Sequence, residues 1–468
     1  MADVDYTLNQ STPYLLTELD RIPSKRYYDE TFYKAENEKL WPHVWQMACR
    51  VEQIQEVGDY IEYSNLGKSV IVVRAKDGIK AYHNACRHRG VALAEPESHG
   101  NCKTEGFICP FHGWRWNLEG KNTFVYGKHM FSDRQLDQTD LALKPCRVET
   151  WAGHAFINFD DNAPTLLESI GPRGDRLLKW KIDKLRAEWH YATILPANWK
   201  TAMEAFMEGY HVLRTHPQLH EALGVLFNNM YSTPEFGGIP SMVEPGLSTR
   251  ENVQANFKLM EQLSEGMGGM LHAKELASAA SMLDMELPED PVQGTYAYLM
   301  AVGNKITEDG RARGEDTPDI CDLQMNHPLR GVEFFFPNYF MLPYFNSFSA
   351  YRIRPLGPES CYFELWSLTQ YPSGAEPPPV MEPKFVEYNS DSFPPIPRQD
   401  YANIPLQQIG LRAGGFDYMR LANDIEGLIS NYQQVIDGYL KSADPKKLAE
   451  STGKLVGAFD TKIEDLGF

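Results

Sequence analysis

Two loops carry residues that could hold a metal. "NACRHRG" (84–90) and "FICPFHGW" (107–114) each contain one cysteine and one histidine, with one residue between Cys86 and His88 and two between Cys109 and His112. Thiolates are soft ligands, and imidazole suits iron, zinc or copper. A structural Cys2His2 zinc site is one reading. Zinc modules, however, usually group their cysteines in one pair and their histidines in another. Here each loop supplies one of each, which is what a [2Fe–2S] cluster needs when one iron takes two thiolates and the other two imidazoles. Such a cluster has a higher potential than an all-cysteine one and accepts electrons readily from a ferredoxin. A second constellation lies in "EGYHVLRTHP" (208–217). Glu208 and His211 are spaced i,i+3 and would share a helix face. His211 and His216 are five apart, and Pro217 disfavours helical geometry at His216, so the chain can loosen there and bring both imidazoles to one metal. Two histidines and a carboxylate make the facial triad of non-haem Fe(II) oxygenases, with positions left open for O2. The plainer alternative is two ordinary histidines near a helix end.

The elements that must position these residues follow from the pattern. From Trp45, "DYIEYS", "SVIVVRAKDGIKAYHN", "GFICPFHGWRWNLEGK" and "WAGHAFINF" are short β-rich runs separated by Gly and Asp turns, predicting a small all-β domain over 45–165. The cysteine and histidine pairs fall at its strand–turn junctions. Before it, residues 14–44 show helical spacing. After Pro164 the period becomes helical again, and "NWKTAMEAFMEGYHVLRTH" (198–216) predicts a helix. Residues 217–330 mix Gly/Pro loops with an amphipathic Met-rich piece. "VEFFFPNYFMLPYFNSFSAYRIRPL" and "CYFELWSLTQYP" predict long strands of a second sheet, and "DYMRLANDIEGLISNYQQVIDGYL" a C-terminal helix. The second domain, 166–468, is therefore α+β.

The flanking residues sharpen the first reading. "CRHRG" and "CPFHGW" are Rieske motifs, in which Gly90 and Gly113 let the loops close over a cluster at no steric cost. Twenty residues separate His88 from Cys109, and "EPESHGN" is expected to lengthen an external loop. Cys102 and His99 inside that stretch read as bystanders. The whole chain resembles the catalytic (alpha) subunits of Rieske non-haem iron ring-hydroxylating oxygenases. The resemblance implies an N-terminal helical segment (1–44), a Rieske domain and a helix-grip catalytic domain, with 217–330 as a lid or insertion. It implies that Cys86, His88, Cys109 and His112 hold the [2Fe–2S] cluster and that His211 and His216 bind a mononuclear Fe(II). Glu208 takes the place of a bridging carboxylate between His112 of a neighbouring subunit and His211. Many members carry Asp there. The third iron ligand is expected on the C-terminal helix. Asp424 is the matching position, with Asp417, Glu426 and Asp437 as competitors.

The activity so implied is that of a terminal oxygenase. Electrons from NAD(P)H pass through a reductase and a ferredoxin to the cluster and then to the iron. The chain is expected to form a homotrimer, with or without a small beta subunit. The "FFFPNYFMLPYF" strand and the Met-rich helix offer apolar, adaptable surface, so the expected substrate is a small apolar, aromatic molecule and the expected reaction dioxygenation. Monooxygenation, including oxidative demethylation of an N- or O-methyl substrate, uses the same ligands and stands as the alternative. A non-catalytic Rieske electron carrier is the reading from another class, but it has no need for a second metal site. The formal charge of −18, from 45 basic and 63 acidic residues, argues against nucleic acid or an anionic membrane as partner. Seven scattered cysteines do not make a secreted disulfide framework. The N-terminus lacks a signal-peptide pattern and no apolar run could span a membrane, so a cytoplasmic location is expected.

Overall fold

A computed structural model describes residues 12–225, 242–455 and 461–468. The short β-runs predicted from Trp45 onward form three small sheets between residues 46 and 158. Gln46–Arg50 joins the hairpin Arg147–Trp151 and His154–Asn158. A four-stranded sheet runs in the order Gly78–His83, Lys68–Ala75, Asp59–Asn65, His99–Asn101. Its central strand carries Val70, Ile71, Val72 and Val73, all fully buried. Side chains alternate across a strand, so Ile71 and Val73 enter the core under the two cysteine–histidine loops while Val70 and Val72 enter a second core with Ile54, Tyr63 and Ile157. A three-stranded sheet of Phe107–Ile108, Arg115–Trp116 and Asn122–Phe124 carries the second loop.

The second half is built on a six-stranded sheet. Its order is Glu333–Phe335, Tyr339–Tyr344, Ser347–Gly357, Ser360–Thr369, Arg186–Leu195, Lys384–Phe385. All neighbours are antiparallel except the last pair. One face packs Tyr191, Phe340, Tyr351, Phe363 and Leu365 with Phe206, Ile396 and Tyr401 from the covering helices. The other packs Tyr339, Met341, Ala350 and Trp366 with Met47, Trp151 and Phe156 of the first half. Arg352 ties the two halves together: it forks onto Glu364 at 2.6 and 2.7 Å and donates to the carbonyls of Met47 and Ala48. Arg354 reaches Ser64 O and Glu97.

Three helix expectations need revision. Residues 14–44 supply one helix, Glu30–Lys39, capped by Asp29, while Arg21–Pro23 is a strand paired with Tyr418–Arg420. The 198–216 stretch is not one helix: Trp199–Glu204 ends, a turn follows, and Val212–Thr215 and Pro217–Ala222 are separate short helices. The helix expected over 417–440 is Gly427–Leu440, because the chain from Tyr418 to Glu426 is spent on the strand and turns, and a further helix, Pro445–Lys454, follows it. Of the 217–330 region, the described part contains the helices Thr249–Met267, Ala273–Ala280, Pro291–Ala312 and Ile320–Asn326. Met260, Met267, Tyr298 and Val302 lie in the core there. Residues 226–241 of the expected lid, and residues 1–11, lie outside the described residues. No described helix is long and apolar enough to cross a membrane.

Candidate metal centres

The two cysteine–histidine loops fold alike. In each, the glycine N–H returns to the cysteine carbonyl (Gly90 to Cys86 and Gly113 to Cys109, both 2.9 Å). The cysteine N–H in turn reaches the residue after that glycine (Cys86 to Val91 and Cys109 to Trp114, both 2.8 Å). Both glycines have positive φ, +78° and +69°, and a Cβ at either would meet nothing within 4 Å. Glycine is required there by backbone conformation and not by space. The loops bring Cys86 beside Cys109 and set the His88 and His112 rings 4.7 Å apart. His88 stacks on Trp114 at 4.8 Å, with Phe131 at its edge. Burial raises the Cys86 thiol, partly offset by the backbone N–H groups of His88 and Arg89, and the neighbouring Cys109 raises it further. His88 Nδ1 is buried and has no hydrogen-bond partner. A buried nitrogen left unpaired is costly and is what a metal ligand looks like without its metal. Thiolates on one side and imidazoles on the other fit a [2Fe–2S] cluster. His99 lies in an edge strand 3.2 Å from Glu382, and the Cys102 thiol points to Gly58 O.

The second centre depends on the broken helix. After Glu204 the turn tightens to i,i+3 bonds, Phe206 to Met203 and Met207 to Glu204. Glu208 is non-helical, and its Oε2 accepts the His211 backbone N–H at 3.0 Å, so the carboxylate holds the turn that leads into the next helix. Its Oε1 takes His211 Nδ1–H at 2.6 Å. His216 sits at φ −121°, ψ 61°, outside helical geometry, before Pro217 at the first position of its helix. Its Nδ1–H donates to Gln399 Oε1 at 2.7 Å. Both imidazoles therefore spend Nδ1 as a donor and turn Nε2 to the same place. There stands Asp400 Oδ1, 3.0 Å from His216 Nε2 and 3.7 Å from His211 Nε2. Among the described residues, His211, His216 and Asp400 are the group whose donor atoms all lie within 4.8 Å of one another. Two lone pairs facing a carboxylate oxygen repel it unless a cation lies between, so the donor set fits a divalent metal. Burial opposes a charged His211, but the hydrogen bond and charge of Glu208, with Asp400 behind, outweigh it and raise the pKa.

The carboxylate is not the one expected. Asp424 is 78% exposed at its side chain, 3.6 Å from Lys462 Nζ, and does not join the two histidines. It lies in the turn before the helix Gly427–Leu440, on exposed chain, while that helix itself is buried on nearly every side. Asp437 is buried but taken by Arg26 at 2.6 Å and the Leu16 N–H at 2.7 Å. Glu426 caps Ala422 N–H. Asp400 and Gln399 were missed, and one signal pointed to Asp400. The helix Pro395–Leu411 buries Ile396, Asp400, Tyr401, Ile404, Gln408 and Leu411. A carboxylate on that otherwise largely apolar stripe needs a partner, whereas one in an exposed turn needs none.

Around the site the rings close up. Phe206 lies 4.7 Å from Phe340 and 5.1 Å from Tyr351. Tyr401 lies 5.2 Å from Phe363 and 5.1 Å from Phe393. Burial, and then the Asp400 charge, push the Tyr351 hydroxyl up, with Ser349 opposing. Burial, Tyr351 and Asp400 do the same to Tyr401.

The family model for the ring hydroxylating alpha subunit (catalytic domain) matches residues 177–442, and that for the Rieske [2Fe-2S] domain matches residues 44–125. The oxygenase subunit of carnitine monooxygenase from Escherichia coli (strain K12) is 28% identical over 207 residues, 44% of this chain and 54% of that protein. The oxygenase subunit of glycine betaine monooxygenase from Chromohalobacter salexigens is 29% identical over 203 residues, 43% of this chain and 44% of that one. The alpha subunit of 2-aminobenzenesulfonate 2,3-dioxygenase from Alcaligenes sp is 31% identical over 199 residues, 41% and 48%. The chain thus spans about half the length of the curated relatives it matches. Among solved structures, naphthalene 1,2-dioxygenase with indole bound superposes with a TM-score of 0.59 at 18% identity, covering 96% of this chain and 99% of that one. A quaternary ammonium Rieske monooxygenase in complex with L-carnitine gives 0.56 at 17%, covering 92% and 99%. At these identities the likeness is one of fold. The two matched domains imply a Rieske cluster and a mononuclear iron. On the match to more than half its length, the chain belongs to the ring-hydroxylating alpha subunits of the Rieske oxygenases.

Proposed function

We propose that the chain is the terminal oxygenase of a Rieske system. In this reading Cys86, His88, Cys109 and His112 hold the cluster, and His211, His216 and Asp400 hold the catalytic Fe(II). The observation that carries it is the convergence of two Nε2 atoms and one buried carboxylate oxygen within 4.8 Å. The bound iron would supply O2 activation with sites left open for it. Glu208 and Gln399 orient the imidazoles by accepting their Nδ1–H protons. The rings of Phe206, Phe340, Phe363 and Phe393 exclude water. Electrons come from NAD(P)H through a reductase and ferredoxin, and reach the iron across a subunit boundary in a homotrimer. The domain limits proposed for this role are 1–44, 45–165 and 166–468.

The named relatives favour monooxygenation of a methylated nitrogen compound over the aromatic dioxygenation expected from the sequence. A methyl C–H takes one oxygen atom, the other leaves as water with two electrons and two protons, and the carbinolamine releases formaldehyde. The aromatic rings at the site suit such a cation. Arene dioxygenation remains a second reading, supported by the 2-aminobenzenesulfonate relative. The test is reconstitution with a reductase and NADH, with quaternary ammonium and arene substrates compared. Formaldehyde released in step with O2 consumption supports the first reading, and a cis-diol supports the second. Protein holding zinc and no acid-labile sulfide after anaerobic purification would overturn both.

A further inference from the structure

One sheet face and one helix turn hydroxyls into the apolar region beside Asp400 without giving them partners. Tyr351 and Tyr401 are fully buried; Tyr401 Oη has no hydrogen-bond partner, and Tyr351 Oη has Ser349 as a polar neighbour but not in hydrogen-bond geometry. Ser349 Oγ and Thr193 Oγ1 are likewise buried without a hydrogen-bond partner. The register puts the three strand residues on one face. Tyr351 lies opposite Leu365, which lies opposite Tyr191. Ser349 lies opposite Ser367, and Thr193 opposite Phe363. Tyr401 approaches that face from the helix that carries Asp400. Phe363 sits between the two tyrosines, with ring centroids 6.0 Å from Tyr351 and 5.2 Å from Tyr401, both edge-on.

A face needing only apolar rings would use Phe at 351 and 401, as the chain does at 206, 340, 363 and 393. A buried phenol without a partner costs free energy that Phe does not. The residues in register on this face are uncharged, while Arg352 and Arg354 point to the opposite one. We propose that the Tyr351 and Tyr401 hydroxyls form a polar subsite for substrate beside Asp400, donating hydrogen bonds to an uncharged oxygen of the substrate. This rests on the oxygenase reading and narrows it. The substrate is an organic molecule with an apolar or N-methyl body and one hydroxyl, ether or carbonyl oxygen, and that oxygen decides selection. A site built to bond a hydroxyl discriminates strongly against the analogue lacking it, because its own groups are then left unpaired.

The test uses two probe pairs in which a hydroxyl replaces a methyl group: choline with propyltrimethylammonium, and phenol with toluene. Binding is read by calorimetry on anaerobic, iron-loaded protein. In the pair that binds, the hydroxyl member should bind about tenfold more tightly. Tyr351→Phe and Tyr401→Phe should each shrink that gap to within about twofold, while the methyl member binds as before or better. Neither substitution should lower the melting temperature, since each removes an unpaired buried hydroxyl. A gap unchanged in both variants, no gap in the native protein, or binding by neither pair would overturn the subsite. Which pair binds judges the substrate reading separately: a gap in the phenol pair alone would remove the methylammonium reading and leave the hydroxyl subsite standing.

Discussion

Asp400 and Asp424 are the same residue type in opposite settings, and setting assigns the chemistry. Asp400 is buried with its oxygen against two imidazoles, whereas Asp424 faces solvent beside a lysine. Asp400→Ala should lose the mononuclear iron while the cluster absorption survives, and Asp424→Ala should keep both, as iron and sulfide analysis would read. An Asp424 variant without the second iron would return the ligand role to that position. Gln399 acts through His216. Its Oε1 fixes the ring so that Nε2 faces Asp400, so Gln399→Leu should weaken Fe(II) binding by roughly 10- to 100-fold. A competitive metal titration measures this, and unchanged affinity would make Gln399 a bystander. The histidine and cysteine ligand candidates were legible because each pair is local: a few residues of spacing describe it. Asp400 and Gln399 come from some 180 residues downstream, and nothing local distinguishes them from other acids and amides. Only the apolar stripe around Asp400 did so.

At the scale of elements, the pattern predicted the strands well and the central helix poorly. Val70–Val73 and the 333–369 hairpins follow from β-branched and aromatic runs between turns. The 198–216 stretch has good helix formers throughout, yet the helix ends at Glu204, and the Glu208 carboxylate accepts the His211 N–H in the non-helical segment that follows. A continuous helix would hold His211 and His216 about 140° apart, so the break makes the site. The helix before the break is held by a buried network. Tyr27 OH and the Gln433 amide donate to Glu204, and Lys200 Nζ meets Glu36 Oε1 at 2.7 Å. Burial raises Glu204 to about 7, against the pull of Gln433, Tyr27, Lys200 and Arg26. The unfolded carboxyl titrates near 4.5. Below that pH both states hold the proton. Between 4.5 and 7 the native state holds it and the unfolded state does not, so the stability tied to protonated Glu204 is lost as pH rises through about 7. Glu204→Gln escapes this loss. Its stability relative to the native protein should improve by about 2 kcal/mol between pH 5 and pH 8 in urea unfolding. Parallel curves at the two pH values would contradict the titration.

The whole molecule raises the question of how electrons cross between its two metal centres. The cluster loops stand on the sheets of residues 46–158, and the histidine pair on the far, helix-covered face of the six-stranded sheet. Trp366, Met341 and the Arg352 fork lie on the face between the halves. A head-to-tail ring of subunits would bring the cluster of one chain beside the iron of the next, and a cyclic trimer closes such a contact. Under the proposal, Glu208 sits at that junction. One of its oxygens already holds His211 Nδ1–H, its side chain stays 12% exposed, and Phe111 beside His112 is 57% exposed. Under the proposal, Glu208 joins His112 of a neighbouring subunit to His211. Glu208→Gln keeps the size and an acceptor oxygen but removes the charge. It should leave both metals bound and substrate affinity near normal, and slow cluster-to-iron transfer by orders of magnitude, since the carboxylate sets the orientation and basicity of both rings. Glu208→Asp should keep part of the rate. Stopped-flow reoxidation of pre-reduced protein with substrate and O2 measures it. An unchanged rate in Glu208→Gln, or full activity in a species that light scattering shows to be monomeric, would rule out the bridged path between subunits.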